Sequence, residues 1–149
     1  MDFEQFITDV KSFFSTNLPT YIAAINAVKE DIEVPNPNKY EVDLPDTFQN
    51  SEAIVFYILP FDYNVQELSN ESDNFMSNLK IIVTFKGDTS ANLYKIAHRY
   101  LNAIYLLLNE KNDMDGTVDW TEIQGMHYES EIQQGIKSIE LNIVTNVEV

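Results

Sequence analysis

The segment from Lys111 to Glu122 comes nearest to a motif that could carry chemistry in this sequence. Compared with the calcium loop of a helix-loop-helix hand, it has Asp113 and Asp115 at oxygen-ligand positions and Glu122 at the position of the bidentate carboxylate. Lys111, however, puts an ammonium where the first carboxylate ligand belongs. The residues after Glu122 also favour a strand over the exiting helix that such a hand requires. We therefore predict a helix-to-strand turn built on Asp115-Gly116 and no metal site, with Asp113, Asp115 and Glu122 as the only metal candidates.

The other residue types that serve catalysis are too few or too scattered to form a recognisable site. His98 and His127 are the only histidines, and neither has a second ligand at metal-binding spacing. His98 falls beside the apolar stripe of a long predicted helix, where we expect it to pack or to hydrogen-bond. There is no cysteine, no Gly-x-Ser-x-Gly elbow and no glycine-rich phosphate loop. The sequence therefore predicts a protein that needs no cofactor and is not an enzyme.

Carboxylates are abundant, but their abundance makes any particular pair uninformative as a glycosidase-type site. The chain has 24 Asp and Glu residues against nine Lys and Arg, which gives a net charge of −15. This balance argues against wrapping nucleic acid, which needs cations to displace counterions from phosphate, and against docking to an anionic membrane. Eight acids and no base lie between Tyr40 and Leu79, and seven acids with one base lie between Tyr100 and Ile136. These two tracts are either solvated loops or a functional acidic surface.

Apolar periodicity predicts helices at the amino terminus and in the second half of the chain. Steps of three and four place apolar residues on one side of residues 2–15, and a second stripe runs to about Glu30. Asn17-Leu18-Pro19 interrupts the pattern, so we expect a helical pair or one bent helix, with Asn17 as a cap. A longer helix is predicted at about 90–110, capped by Thr89 or Ser90. Tyr94, Tyr105 and Leu106 broaden its apolar stripe, which predicts burial on more than one side.

Four segments are predicted as strands: 53–59, 79–86, about 118–126 and 138–149. A short edge strand is also possible where Tyr40, Val42 and Leu44 alternate with acids. The last segment has the clearest period of two, and we expect it to need pairing or cover by a neighbour. The fold class is therefore α+β. We predict a single domain over 1–149, with about four mainly antiparallel strands and the long helix and amino-terminal helices packed on one face.

Between two of the predicted strands lies a polar arm at about 62–78, far longer than a hairpin loop. Such an arm is either disordered or present to contact another molecule. Phe61, Tyr63 and Phe75 border it, and aromatic residues beside polar loops are frequent at protein interfaces. The candidate partner-contact residues are Phe61, Asp62, Tyr63, Glu67, Glu71, Asp73 and Phe75.

The sequence resembles the tail terminator, or tail completion, proteins of tailed phages. The residues that carry the resemblance are Asn17-Leu18-Pro19-Thr20-Tyr21-Ile22, the strand Ile81–Asp88, the helix segment Tyr100–Ile104, the turn Gly116–Asp119 and the closing strand Ile139–Val147. The resemblance implies a virion protein at the head-to-tail junction that forms a homohexameric ring and has no enzymatic activity. It also implies contacts with the tail-tube protein below and with head connector or neck proteins above.

Size and charge allow such a ring to surround DNA. A compact chain of this length has a radius of gyration of about 15 Å and an equivalent diameter of about 38 Å, and six such bodies leave a central opening of about the same width. Carboxylates that line the opening would repel phosphate and let DNA pass without binding. The candidate lumen residues are Asp46, Glu52, Asp113, Asp115, Glu129 and Glu131.

Two other functions are compatible with the sequence. One is an acidic cytoplasmic binding module, such as an inhibitor that mimics the charge of nucleic acid, and the other is a calcium-dependent module. The amino terminus lacks the basic region of a signal peptide, and no apolar run approaches the ~20 residues that span a bilayer. We therefore expect no membrane partner, and a subunit that is made in the host cytoplasm and assembled into the tail or neck of a virion.

Overall fold

The computed structural model describes residues 1–45, 52–69, 72–87, 90–133 and 135–149, with the backbone alone for 90, 91 and 131–133. Its elements are α1 (Phe3–Val28), β1 (Lys39–Val42), β2 (Ile54–Glu67), β3 (Asp73–Lys86), α2 (Ser90–Glu110), β4 (Trp120–Gln133) and β5 (Ile136–Glu148). The predicted α+β class is confirmed, with five strands in these ranges where about four were expected. The fifth is β1, the possible short edge strand. None of the described helices combines the length and apolar character needed to cross a membrane.

The amino-terminal helix is continuous, where the sequence allowed a helical pair or one bent helix. α1 runs through Pro19, which has no N–H to donate to the carbonyl four residues back. Burial of its apolar stripe compensates for that loss, and the stripe consists of Phe6, Ile7, Val10, Phe13, Phe14, Leu18, Ile22 and Ile25. The prediction that Asn17 caps a helix is wrong, because its amide donates to the Phe13 carbonyl at 2.8 Å from inside α1. The cap is Asp2, whose carboxylate accepts a hydrogen bond from the backbone N–H of Gln5 at 3.0 Å.

The long helix α2 buries one face. Its core side consists of Leu93, Ala97, Tyr100, Ala103, Ile104, Leu107 and Leu108. The three residues expected to broaden this face are exposed instead: Tyr94 by 52%, Tyr105 by 43% and Leu106 by 38%. The prediction of burial on more than one side is therefore wrong, because no described element packs over the outer side of α2. Of the two predicted caps, Thr89 lies outside the described residues, as does the side chain of Ser90.

The strands form one mixed sheet in the order β1-β2-β3-β5-β4, in which β1 and β2 are parallel and the other pairs are antiparallel. Both helices pack on one face of this sheet. Alternate residues of β3, from Leu79 to Phe85, are completely buried there. Ring contacts join the two layers, with 5.1 Å between the Phe85 and Tyr100 centroids and 4.9 Å between the Phe14 and Phe56 centroids. These contacts hold the helices in place over the sheet.

The last strand lies inside the sheet. β5 pairs with β3 along one side and with β4 along the other. Of the two alternatives expected for this strand, pairing or cover by a neighbour, the structure shows pairing within the chain along both edges. In the described residues, the sheet edges are β4 on one side and β1 with the far half of β2 on the other. Within the same residues, unpaired strand backbone is thus found on β4, on β1 and on the far half of β2.

The polar arm predicted at 62–78 is the far half of a β-hairpin. β2 continues to Glu67 and β3 begins at Asp73, and the two strands pair along the arm after a register shift between Pro60 and Asp62. We call the described part of residues 61–78 the hairpin arm. β1 stops opposite Ile58, so the outer edge of β2 along the hairpin arm has no strand partner in the described part of the chain.

Candidate interaction surfaces

The calcium-loop candidates belong to a tight turn between α2 and β4. Met114, Asp115 and Gly116 have positive φ values of 50°, 56° and 90°. Asp113 Oδ1 accepts the Asp115 amide at 3.2 Å, which stabilises this backbone. Gly116 suits the left-handed conformation because it has no Cβ. The predicted helix-to-strand turn is confirmed.

The carboxylates near this turn are engaged by the chain itself or kept apart. Asp115 Oδ1 accepts from Lys111 Nζ at 3.0 Å, and Oδ2 accepts from Asn17 Nδ2 at 2.8 Å. These two bonds hold the pKa of the Asp115 carboxyl below its ordinary value. Glu122 lies on β4 opposite Val144, beyond the turn. Within the described ranges, no group of three His, Asp or Glu side chains could hold a metal ion. Asp115 therefore ties the turn to α1.

Three of the predicted partner-contact residues anchor the hairpin arm to the rest of the chain. Tyr63 and Phe75 meet Phe3 edge to face, with ring centroids 4.8 Å and 5.9 Å apart. Asp73 exchanges two backbone hydrogen bonds with Val149, at 2.7 Å and 2.8 Å. All three are half-buried. The first turn of α1 and the end of β5 therefore hold the arm in place.

The remaining described candidates of this group are exposed. Phe61 is 59% exposed, its neighbour Asp62 is exposed, and Glu67 is exposed at the end of β2. Val65 and Leu68, which the sequence did not single out, are also exposed, by 58% and 48%. The alternation of Phe61, Tyr63 and Val65 with polar residues was the signal that could have revealed a strand with one apolar side. Glu71 lies outside the described residues.

A second exposed apolar surface lies where α2 meets β4. Tyr94, His98 and Tyr128 pack together, with ring centroids 4.3 Å apart for Tyr94 and His98, 4.8 Å for His98 and Tyr128, and 5.9 Å for Tyr94 and Tyr128. We call these three side chains the ring cluster. The predicted packing role of His98 is confirmed, and its Nδ1 lies 2.9 Å from the Tyr94 carbonyl. Met126, which is 51% exposed, lies two residues away from Tyr128 on the same strand.

A pocket of about 260 Å³ adjoins the ring cluster. It is lined by Lys29, Tyr94, Lys95, His98, Arg99 and Asn102, and we call it the basic pocket. Three of the nine Lys and Arg residues of a chain with 24 acids line it, and none of its lining residues is acidic. Asp31 bonds to Lys95 at 2.9 Å and to Arg99 at 2.6 Å. Lys29 has no ion pair within the described residues. The pocket is thus a local positive site on a negative protein.

The predicted lumen residues fall into two groups at opposite ends of the sheet. Glu129 on β4 is paired with Ser138 of β5, whereas the turn that holds Asp113 and Asp115 precedes Trp120, which is paired with Asn146. Eight residues of strand separate these two levels, or roughly 27 Å. A continuous acidic wall would therefore need further carboxylates between the two ends.

The face of the sheet away from the helices supplies such carboxylates. Its strands place Glu41, Glu122 and Glu140 at positions that alternate with the core residues. Glu140 is paired with Lys80 at 2.7 Å, while Glu41 and Glu122 are exposed. Two lumen candidates have side-chain partners: Glu52 lies 3.3 Å from Lys39 Nζ, and Glu129 lies 3.3 Å from His127 Nε2. Asp46 and the side chain of Glu131 lie outside the described part.

No model of a protein family matches this chain, and none of the curated proteins matches it. Among solved structures, it is similar to a chain described as "Virion of native gene transfer agent (GTA) particle", with 10% sequence identity. The match covers 74% of this chain and 78% of that chain, with a TM-score of 0.40. A likeness at this level says nothing about function.

Proposed function

We propose that this chain is a structural virion subunit of a tailed phage that joins copies of itself into a ring, caps the tail tube and meets the head connector or a neck protein. The observation that carries the proposal is a pair of unlike exposed surfaces at different places in the fold. The hairpin arm lies beside the start of α1, whereas the ring cluster joins α2 to β4 and the basic pocket lies next to it, between α2 and the residue that follows α1. Unlike surfaces favour head-to-tail contacts, which close into rings or grow into filaments.

The resemblance of the sequence to tail terminator proteins adds the expectation of six copies around a central opening about 38 Å wide. The charge of the chain supports a passage for DNA. Glu41, Glu122 and Glu129 lie on the face of the sheet away from the helices. Unlike Lys or Arg, these carboxylates cannot bind DNA phosphates by displacing their counterions. DNA therefore slides through such an opening without specific binding, and no catalytic step or cofactor is required.

Negative-stain microscopy and sedimentation velocity of the purified protein, alone and with isolated tail tubes, test this function. The expected result is a closed ring of six copies, alone or seated on the end of the tube. A chain that stays monomeric in both conditions and binds one basic enzyme molecule would instead identify an acidic binding module. Retention of duplex DNA by the assembled ring at low salt would contradict the acidic lumen.

A further inference from the structure

We infer that the hairpin arm of one copy docks in the basic pocket of the next copy, an inference that rests on the proposed ring and names its contact. The two surfaces have opposite charge and similar apolar character. Their positions in the fold make a second copy the natural occupant.

The donor side of this contact is acidic. Asp62 and Glu67 are exposed on the hairpin arm, and Asp73 is half-buried at its far end. No Lys or Arg lies between Tyr40 and Leu79 in the sequence. Lys80 Nζ lies 5.8 Å from the Phe61 ring centroid at the base of the arm, but it is bonded to Glu140. The arm therefore presents net negative charge, and a cationic surface attracts it.

The acceptor side is the strongest positive site among the described pockets. Lys29, Lys95 and Arg99 line it, and Asp31 is the single carboxylate bonded to them. Lys29 is exposed and has no ion pair within the described residues. A carboxylate of the neighbouring arm would give this ammonium a partner.

Apolar side chains accompany the charges on both sides. Phe61, Val65 and Leu68 are exposed along the hairpin arm. Tyr94, at the rim of the basic pocket, is 52% exposed and belongs to the ring cluster. Aromatic residues surrounded by polar groups are the usual energetic centre of a protein interface. The two surfaces therefore match in apolar as well as in charged character.

The arm cannot reach the pocket of its own chain. Phe3, at one end of α1, contacts the arm through Tyr63, whereas Lys29 follows the other end of the same helix. α1 has 26 residues, and at about 1.5 Å per residue the two ends lie roughly 39 Å apart. The docking is therefore between copies. Because donor and acceptor are different surfaces, each copy has one of each, as a head-to-tail ring requires.

Disulfide cross-linking gives a direct test, since the chain has no cysteine of its own. Val65→Cys protein is mixed with Asn102→Cys protein under the conditions in which the wild type assembles, and the mixture is then oxidised. We expect a covalent dimer from this pair. The control is Val65→Cys mixed with Ser12→Cys, which places the thiol on the exposed side of α1. This mixture should give at least about tenfold less covalent dimer.

Charge reversal gives an independent test. Lys29→Glu and Glu67→Lys should each weaken self-association roughly tenfold or more, and the two changes together in one chain should restore most of it. Lys11→Glu makes the same change of charge on α1 outside both surfaces and should leave assembly unchanged. Circular dichroism of each variant checks that the fold is kept.

The outcomes separate the contact from the ring itself. If rings form but the Val65–Asn102 cross-link does not, or if neither charge reversal weakens assembly, the proposed contact is wrong while the proposed ring remains supported. A wild type that stays monomeric alone and on tail tubes would overturn the ring and the contact together. Duplex DNA that binds the wild type and is released by Lys29→Glu would show that phosphate occupies the pocket, which also overturns the contact.

Discussion

Arg99 Nη2 donates to Asp31 Oδ1 at 2.6 Å, and this bond fixes the segment that leaves α1 against α2. The same guanidinium donates to the Ile32 carbonyl at 3.1 Å, while Lys95 donates to the other Asp31 oxygen at 2.9 Å. Arg99 is 9% exposed, whereas Lys95 faces solvent. One carboxylate thus holds a buried and an exposed cation together, and both of these cations line the basic pocket.

Removal of the Asp31 charge should destabilise the protein in a pH-dependent way. Hydrogen bonds from Lys95 and Arg99 hold the pKa of the Asp31 carboxyl well below its ordinary value. The stabilisation is therefore complete above the carboxyl pKa of the unfolded chain, declines below it, and is lost as the pH falls through the lower pKa of the folded state. Asp31→Asn should lower the urea midpoint at pH 7, and its difference from wild type should narrow at pH 3. An equal difference at both pH values would show that the charge is not the cause.

Tyr100→Phe should cost about 1 to 3 kcal/mol of unfolding free energy, because it leaves a carbonyl without its partner. The Tyr100 hydroxyl donates to the Pro35 carbonyl at 2.5 Å, and burial raises the pKa of this phenol. Tyr94→Phe is the matched control on the exposed side of the same helix and should stay within about 0.5 kcal/mol of wild type. Urea titration of the three proteins measures the difference, and equal costs at the two positions would refute it.

The Tyr21 hydroxyl should ionise at a higher pH than that of an ordinary tyrosine. Its hydroxyl donates to Glu110 Oε2 at 2.5 Å across a groove of about 670 Å³ between α1 and α2. This hydrogen bond, with burial and the Glu110 and Asp115 charges, raises the pKa of Tyr21 to about 12. The stability that this contact gives the folded protein is therefore complete below the ordinary phenol pKa and is lost as the pH rises through the folded-state pKa. The ultraviolet titration of wild type minus that of Tyr21→Phe should give this pKa, and Glu110→Gln should move it towards 10. Ionisation near 10 in the wild type would mean that the contact does not persist in solution.

Two phenylalanines of the hairpin arm should respond differently to the same substitution. Phe75→Ala removes a ring packed on Phe3 and should lower the unfolding free energy by about 1 to 2 kcal/mol. Phe61→Ala removes a ring that is 59% exposed, so stability should hardly change while assembly weakens. Thermal denaturation and sedimentation equilibrium measure the two effects separately. Loss of stability at Phe61 with normal assembly would rule out its role as a contact.

Local patterns were enough to predict most elements and their class. The alternation in β3 and β5 is readable because their core-facing residues are consistently apolar, as from Leu79 to Phe85. Residues 62–78 lack that consistency, and their polarity alone predicts an arm that is either disordered or present to contact another molecule. They form strands because β3 pairs with β5 on one side and with β2 on the other, and such non-local pairing leaves little trace in local composition.

The candidate surfaces were harder to predict than the fold. Phe61 and Phe75 look equivalent in the sequence, and only the position of Phe3 decides which of them is free for a partner. The basic pocket was missed because Lys29 and Lys95 lie far apart in the chain and meet only when α1 packs along α2. The lumen candidates were selected by charge alone, and the sheet separates Glu129 from the Asp113 turn by its own length.

The central position of β5 has a consequence for biosynthesis. This strand leaves the ribosome after every other described element, yet it joins β3 to β4 and supports the hairpin arm through the pairs Asn74↔Glu148 and Phe75↔Val147. Until it emerges, β4 lacks its strand partner and β3 is paired with β2 alone. Polypeptides truncated before β5 therefore lack a properly supported arm, so we expect them to be unable to form the proposed ring.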